Sequence, residues 1–384
     1  MNLNGVNRFL IALLAVYTIL LVAIGVNYAV LWRAGELQSL DKIVRDQEDR
    51  GEIYNALSIG FADYKYAAYR QRAPEIVAIG TSRAMQIRQQ YFSNPFYNLG
   101  GLVQGAGQAN VLADRLLLRG VPPKMVIFAL DYWTFCRLAT DRAPDKAVRD
   151  VFHDGMGQPQ RHFLIYHLLF DGRFSVADYV RLFSSQNSTD ADRIGLGATI
   201  GKSGFAADGS IYSLPPSAGE LDRRWESAIA LIGSGGAQMI KDCQVSNVAL
   251  ESLKHFVDRL DNAGVKAILF MAPLPGAVIK RMQDDGRYGY IGELRKSLAA
   301  SYPRRFYDFF DMRDVTSDSE FYDGLHGGDV VYRRIVLTIA RSAGTALEGL
   351  VDEKLLQSQI DLWSGRAQVP TDPIVQKFFL PESR

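Results

Sequence analysis

The sequence predicts an α/β protein, with a five-stranded parallel sheet covered by helices on both faces and a transmembrane helix at the N-terminus. Short apolar segments alternate with segments of helical periodicity over most of the chain, which is the pattern of a parallel sheet. The first 35 residues contain a long uncharged apolar stretch. The 384 residues include 43 basic and 42 acidic ones without a long block of either sign, which argues against a nucleic-acid partner.

The transmembrane helix is predicted within residues 1–35. Residues 9–31 carry no charge, and about 20 such residues cross a bilayer as a helix. This stretch exceeds the ~7–15 apolar residues of a cleavable signal peptide, which indicates an uncleaved signal anchor rather than a signal peptide or a buried core helix. Arg8 precedes the stretch and Arg33 follows it among mixed charges, so the charges leave the orientation open.

The rest of the chain divides into three predicted parts. Residues 36–73 have apolar positions at helical spacing and predict a membrane-proximal helical stalk that ends before Pro74. The α/β domain is predicted at 74–345, with an insertion at about 134–245 that is rich in Gly, Ser and Asp. Residues 346–384 are a C-terminal extension that ends as a flexible tail.

The strands and helices of the α/β domain follow from short apolar runs and from amphipathic spacing. The predicted strands are 76–80, 96–100, 125–130, 267–271 and 305–309. The predicted helices are 109–119, 248–263, 290–301 and 329–341. In a sheet of this kind, functional groups gather just beyond the carboxyl ends of the strands.

Ser82 follows the first strand, in the segment Gly-Thr-Ser-Arg. A serine in a strand-to-helix turn lies near backbone amides and a helix dipole that stabilise a developing anion, which suits a nucleophile. A serine there is also a common helix N-cap. From this segment alone, both interpretations remain open.

Asp323 and His326 lie three residues apart in a glycine-flanked loop after the last strand. A serine hydroxyl needs a base within hydrogen-bond distance, and that base needs a partner that fixes its tautomer. The sequence therefore predicts a triad of Ser82 as nucleophile, His326 as base and Asp323 as the orienting carboxylate. No cofactor is expected.

These motifs resemble the SGNH/GDSL hydrolase superfamily, over residues 74–340 without the insertion. Its members have a flavodoxin-like three-layer α/β/α fold, with a serine in the first sequence block and Asp-x-x-His in the last. The segments Gly-Thr-Ser-Arg, Tyr-Asn-Leu-Gly-Gly and Leu-Asp-Tyr-Trp look most like those of membrane-anchored bacterial proteins of alginate O-acetylation and of D-alanyl transfer to teichoic acids.

The resemblance implies a serine esterase or O-acyltransferase that acts on acyl esters of cell-envelope polysaccharide. It implies a single-pass protein of the bacterial cytoplasmic membrane with a periplasmic catalytic domain. The implied partners are the membrane, a cell-envelope glycan or acyl-ester substrate, and a membrane acyl-donor protein. O-acyl transfer to a glycan and simple hydrolysis are both compatible with the motifs.

Two positions depart from the superfamily pattern. Thr81 replaces the usual aspartate before the nucleophile, a variation that the envelope proteins share. Asp131 stands where the third block normally has an asparagine that donates to the oxyanion, and an ionised carboxylate cannot donate. Because losing one donor can cost ~3–4 kcal/mol, a scaffold or binding subunit with little or no turnover is the alternative function.

The predicted oxyanion hole therefore consists of backbone amides, those of Ser82 and of a glycine in the second block. Gly101 is the first choice, ahead of Gly100 and Gly105.

Four residues near the predicted site are possible substrate contacts. Arg83 can hold an anionic group or belong to an ion pair. Asp131 lies at the end of the third strand, next to Tyr132 and Trp133. These two aromatic residues can stack on a sugar or be buried under the insertion.

The two cysteines, Cys136 and Cys243, bracket the insertion and lack the spacing of a metal site, which argues against structural zinc. In an oxidising compartment they can pair, and in a reducing one they stay free thiols.

Overall fold

The computed structural model describes residues 3–118, 122–137, 158–184, 193–200, 203–213, 218–236 and 238–378. The helices in these ranges are α1 (Leu3–Arg33), α2 (Leu40–Arg50), α3 (Phe61–Arg72), α4 (Ala106–Leu117), α5 (Gln158–Phe170), α6 (Val176–Ser184), α7 (Leu196–Ile200), α8 (Ala218–Ser234), α9 (Asn247–Asn262), α10 (Gly276–Asp285), α11 (Tyr290–Ser301), α12 (Asp329–Ala340), α13 (Glu353–Trp363) and α14 (Pro373–Phe378). The strands are β1 (Ile53–Tyr54), β2 (Ile76–Gly80), β3 (Phe96–Asn98), β4 (Met125–Leu130), β5 (Arg193–Ile194), β6 (Ser203–Phe205), β7 (Ile211–Ser213), β8 (Lys266–Met271) and β9 (Phe306–Asp308).

The centre of the protein is a five-stranded sheet with the order β3-β2-β4-β8-β9, in which all neighbours are parallel. This finding confirms the predicted α/β class. Counted in chain order within this sheet, the strands run 2-1-3-4-5, an order found among doubly wound sheets.

Helices cover both faces of this sheet. Val77 and Ile79 of β2 belong to one hydrophobic cluster, and Ile76 and Ala78 belong to another, because successive side chains of a strand point to opposite faces. The first cluster is completed by α4, α9, α10 and α11, and the second by α12 and α13. Burial on both faces explains why the strands are continuous apolar runs in the sequence.

Helix α1 is long and apolar enough to cross a membrane over Val6–Arg33, by its length and composition. Its apolar side chains are exposed up to Ile24, whereas Val30 and Leu31 near its end are buried. The predicted apolar helix is therefore present, and most of its length makes no contact that buries its apolar side chains.

The predicted helical stalk at 36–73 differs from the structure. This segment forms α2, β1 and α3, and Ile43, Tyr54 and Tyr64 are buried in the same cluster as one face of the sheet. β1 also joins three strands from the insertion in a second sheet with the order β5-β1-β6-β7. Helical spacing of apolar residues shows that a face is buried, but it does not show what covers that face.

The C-terminal extension is not a flexible tail over the described residues up to 378. It contains α13 and α14, and Val369 and Val375 are buried. The Tyr212 hydroxyl donates to the Asp372 carboxylate at 2.8 Å, which attaches the extension to β7. The prediction treated the end of the chain as an unattached terminus, whereas burial of its apolar residues attaches it to the rest of the protein.

Cys136 and Cys243 form a disulfide with their Cα atoms 5.6 Å apart and 107 residues apart in sequence. The backbone pairs beside it, at Cys136 and Val245. The chain therefore enters and leaves the insertion at one place.

Candidate active site

Ser82 begins a short 3₁₀ turn, Ser82–Gln86, directly after β2. Thr81 is the N-cap of this turn, and its hydroxyl accepts a hydrogen bond from the Arg83 amide at 3.3 Å. Because Thr81 takes the capping role, the Ser82 hydroxyl is left for another partner. Ser82 is exposed, whereas its neighbours on both sides are buried.

The turn before Ser82 requires a glycine. Gly80 has a φ of +142°, and a Cβ there would lie 2.7 Å from the Ala129 carbonyl oxygen of the adjacent strand β4. The close approach of β2 and β4 thus fixes where the chain turns and where Ser82 emerges.

The structure brings together the three residues of the predicted triad. Ser82 Oγ lies 2.8 Å from His326 Nε2, and His326 Nδ1 lies 2.8 and 2.9 Å from the two carboxylate oxygens of Asp323. An ionised carboxylate accepts only, so Nδ1 carries the imidazole proton and Nε2 is the acceptor for the serine hydroxyl. The side chains of His326 and Asp323 are 29% and 27% exposed, so the pair is partly open to solvent.

The loop between β9 and α12 holds Asp323 as a carboxylate. Its Oδ1 accepts hydrogen bonds from the amides of Leu325 and His326, each at 2.8 Å. Burial alone would raise the pKa of Asp323, but the hydrogen bonds from the His326 ring and from the two amides outweigh it and lower the pKa to about 2. The carboxylate is therefore ionised at neutral pH and can stabilise an imidazolium.

Helix α8 of the insertion packs on this loop. A Cβ on Gly324 would lie 2.2 Å from the Cβ of Ala228 in α8, and the Arg224 guanidinium donates to the Tyr322 carbonyl at 3.4 Å. The insertion therefore contacts the loop that positions His326.

Of the two alternatives weighed for Arg83, the structure has the ion pair, and its partner is Asp131, which was predicted as a possible substrate contact. They form a buried ion pair at 2.6 Å, and the second oxygen of Asp131 accepts from the Thr81 hydroxyl at 2.6 Å. Arg83 also donates to the Pro273 carbonyl and lies 5.2 Å from the Trp133 ring centre. Burial raises the pKa of Asp131, and Arg83 and the Thr81 hydroxyl oppose this shift. Both carboxylate oxygens are occupied, so the pair supports the Ser82 turn.

Of the two predicted aromatic contacts, Tyr132 is fully buried, and its hydroxyl donates to the Gln238 carbonyl at 2.8 Å. It therefore packs under the insertion, which is the alternative weighed from the sequence. Trp133 is half-buried and remains accessible on one side.

Gly101 does not have the free amide that an oxyanion donor requires. Its N–H donates to the carbonyls of Gly80 and Thr81, at 2.8 and 3.0 Å. Within the described ranges, the amides of Ser82 and Gly105 donate to no protein acceptor. Gly105 is the N-cap of α4, where the first amides and the helix dipole favour an anion. The sequence ranked Gly105 behind Gly101 and predicted that the helix begins at 109, whereas α4 begins at Ala106.

Lys65 is a neighbour of the site that the sequence did not reveal. It is buried on α3, and its Nζ donates to the Gly100 carbonyl at 2.6 Å, within the glycine-rich loop before α4. Burial lowers its pKa to about 7, which Asp208 opposes. A lysine on an amphipathic helix is usually solvated, so its spacing gave no signal.

The arrangement is suited to nucleophilic attack on a carbonyl. His326 can take the proton of the Ser82 hydroxyl, and Asp323 can stabilise the resulting imidazolium. Among the described residues, the amides of Ser82 and Gly105 are available as further donors. No protein-family model matches the chain, and no curated protein matches it.

Proposed function

We propose that this chain is a membrane-anchored serine esterase or O-acyltransferase of the SGNH type. The observation that carries the proposal is the hydrogen-bonded series from Ser82 through His326 to Asp323 at the carboxyl edge of the parallel sheet. The flavodoxin-like strand order 2-1-3-4-5 and the serine after the first of these strands support the resemblance that the motifs indicate.

In the proposed reaction, Ser82 Oγ attacks the carbonyl carbon of an acyl ester while its proton passes to His326 Nε2. The amides of Ser82 and Gly105 donate to the oxyanion of the tetrahedral intermediate. The intermediate collapses, the leaving alcohol takes the proton from His326, and the acyl group stays on Ser82. A second hydroxyl then attacks this ester with His326 as the base, which releases the acylated product and restores the serine.

Two observations support a cell-envelope location and a glycan acceptor. The Cys136–Cys243 disulfide suits an oxidising compartment such as the periplasm. The helix α1 would hold the site close to the bilayer, where lipid-linked sugars and acyl donors are concentrated. We therefore propose transfer of an acyl group to an envelope polysaccharide, with a membrane acyl-donor protein as partner.

A fluorophosphonate probe tests the nucleophile directly. The full-length chain in detergent should be labelled, Ser82→Ala and His326→Ala should abolish labelling, and Ser358→Ala on the exposed side of α13 should leave it unchanged. Labelling that survives in Ser82→Ala would remove this serine from the mechanism. Thermal unfolding of each variant separates lost chemistry from lost structure.

Transfer and hydrolysis are separated by their products. The full-length chain is incubated with an activated acetyl ester and candidate envelope oligosaccharides, and free acetate and acylated sugar are both measured by mass spectrometry. Acylated sugar that depends on Ser82 supports transfer. Acetate release with every acceptor and no acylated sugar leaves simple hydrolysis.

The second candidate is a scaffold or binding subunit of an envelope-polysaccharide assembly. The buried Arg83–Asp131 pair favours it, because this pair occupies the position from which a side chain would otherwise donate to the oxyanion. A folded wild-type chain that takes no fluorophosphonate label, yet binds the oligosaccharide, would support this function.

A further inference from the structure

Two helices of the insertion are attached to the end of the transmembrane helix. Both α5 and α6 contact α1, and Arg33 at the end of α1 donates to the Phe183 carbonyl of α6 and lies 5.9 Å from its ring centre. The buried cluster at this contact consists of Val30, Leu31, Ala34, Leu164, Ile165, Leu168, Phe174, Leu182 and Leu196. The two helices and the turn between them, residues 158–184, are called the interfacial hairpin below.

Each helix of the interfacial hairpin also has an exposed apolar side. Phe163 and Phe170 of α5 are 59% and 96% exposed, and Val176 and Phe183 of α6 are 71% and 44% exposed. Each pair is seven residues apart, so its members lie on one side of their helix, two turns from each other. Exposed aromatic and aliphatic side chains in such an arrangement mark an interaction surface.

The position of this surface along α1 indicates what it contacts. At 1.5 Å per residue, the uncharged residues 9–31 extend ~34 Å, slightly more than the ~30 Å hydrocarbon core of a bilayer. The last turns of α1, to which the hairpin is attached, therefore lie at the boundary between lipid and water. Trp32, which is 57% exposed, lies at the same level, where aromatic residues are enriched.

We propose that the interfacial hairpin is a second membrane contact, with its apolar face inserted among the lipid headgroups and upper acyl chains. A lipid occupant fits best because the hairpin packs on the last turns of α1, whose other apolar side chains are exposed along the length that a bilayer would cover. Two contacts fix the rotation and height of the α/β domain above the bilayer, which a single helix cannot do. The inference rests on α1 crossing the membrane and is independent of the proposed chemistry.

Photocrosslinking of the full-length chain in native membrane vesicles tests the proposal. The photoreactive residue p-benzoylphenylalanine is placed at position 170, and adducts are identified by mass spectrometry after irradiation. Position 14, in the exposed part of α1, is the control for spanning. Position 362, an exposed leucine on α13, is the matched control for apolar exposure away from the membrane.

The expected result is a lipid adduct at positions 170 and 14 and none at 362. A lipid adduct at 14 with no lipid adduct at 170 overturns the proposal. A protein adduct at 170 overturns it in favour of a membrane-protein partner on the same face. The absence of a lipid adduct at position 14 overturns the premise that α1 spans the bilayer, and it leaves the chemistry of Ser82 unaffected.

Discussion

Replacing Asp131 with asparagine tests the role that the structure gives to this residue. The SGNH/GDSL pattern that the motifs resemble has asparagine at this position, so Asp131→Asn would be expected to increase activity if the side chain faced the substrate. In the structure, Asp131 instead neutralises the buried Arg83 guanidinium and accepts from the Thr81 hydroxyl. The structure therefore predicts that the same substitution is damaging.

The magnitude follows from the burial of the pair. Both side chains are almost fully buried, with exposures of 1% and 0%. Removing one charge of a buried pair leaves the other uncompensated, which typically costs ~3–5 kcal/mol. The asparagine amide oxygen can still accept from the guanidinium, as the Pro273 carbonyl does, but neither group carries the negative charge that compensates Arg83. The turn that carries Ser82 loses its support at the same time, so fluorophosphonate labelling should fall as well.

Thermal unfolding and probe labelling of the full-length chain are measured together. Asp131→Asn should lower the unfolding midpoint on the order of 10 °C. Glu75→Gln, which removes the exposed Glu75–Lys124 pair, is the control and should change stability by at most ~1 kcal/mol. The double substitution Arg83→Met with Asp131→Leu removes both charges and should recover most of the lost stability.

A wild-type midpoint together with increased labelling in Asp131→Asn would refute this reasoning. It would mean that the side chain at position 131 reaches the reacting carbonyl and that the Arg83 contact is dispensable. An equal loss of stability in Glu75→Gln would show that the measurement does not separate buried from exposed pairs.

Three further outcomes are expected. Replacing Cys136 and Cys243 together with alanine should lower the free energy of unfolding in denaturant by up to ~4–5 kcal/mol, because the disulfide closes a long loop; an unchanged value would contradict this. The pKa of Asp323 is about 2 in the folded chain and 3.8 ordinarily, so its stabilising contribution is present above about pH 4 and is lost as the pH falls toward 2. That contribution is roughly 2 kcal/mol, and Asp323→Asn should flatten the pH dependence of unfolding in this window. Gly324→Ala should lower the free energy of unfolding by ~1–3 kcal/mol and reduce labelling, because its Cβ collides with Ala228. The added change Ala228→Gly should restore both stability and labelling, and a double variant that stays impaired would contradict this cause.

The architecture of the sheet was predictable because burial on both faces leaves a strong signal in the sequence. The bounds of β2, β4 and α11 agree with the sequence, since continuous apolar runs and amphipathic spacing mark them directly. The packing of residues 36–73 was not predictable in the same way. Their apolar face is visible in the sequence, but it packs in the same cluster as the central sheet, and β1 pairs with strands of the insertion more than a hundred residues later.

The sequence likewise identified some features of the candidate site and not others. Ser82, Asp323 and His326 could be selected because nucleophilic chemistry requires those residue types at strand ends. The pairing of Arg83 with Asp131 could not be seen, because it joins the ends of two strands whose register the sequence does not state. The Gly101 amide likewise points at the carbonyls of Gly80 and Thr81 because of the turn geometry, which the presence of a glycine in the sequence does not show.

The segments outside the central sheet contact both halves of the candidate site. On one side, Lys65 of α3 holds the Gly100 carbonyl in the loop that leads to the Gly105 amide. On the other side, α8 of the insertion rests on Gly324 in the loop that carries His326. The chain reaches α3 from α1, and the insertion also supplies the interfacial hairpin. The segment that follows α1 and the insertion therefore each contact a loop of the candidate site.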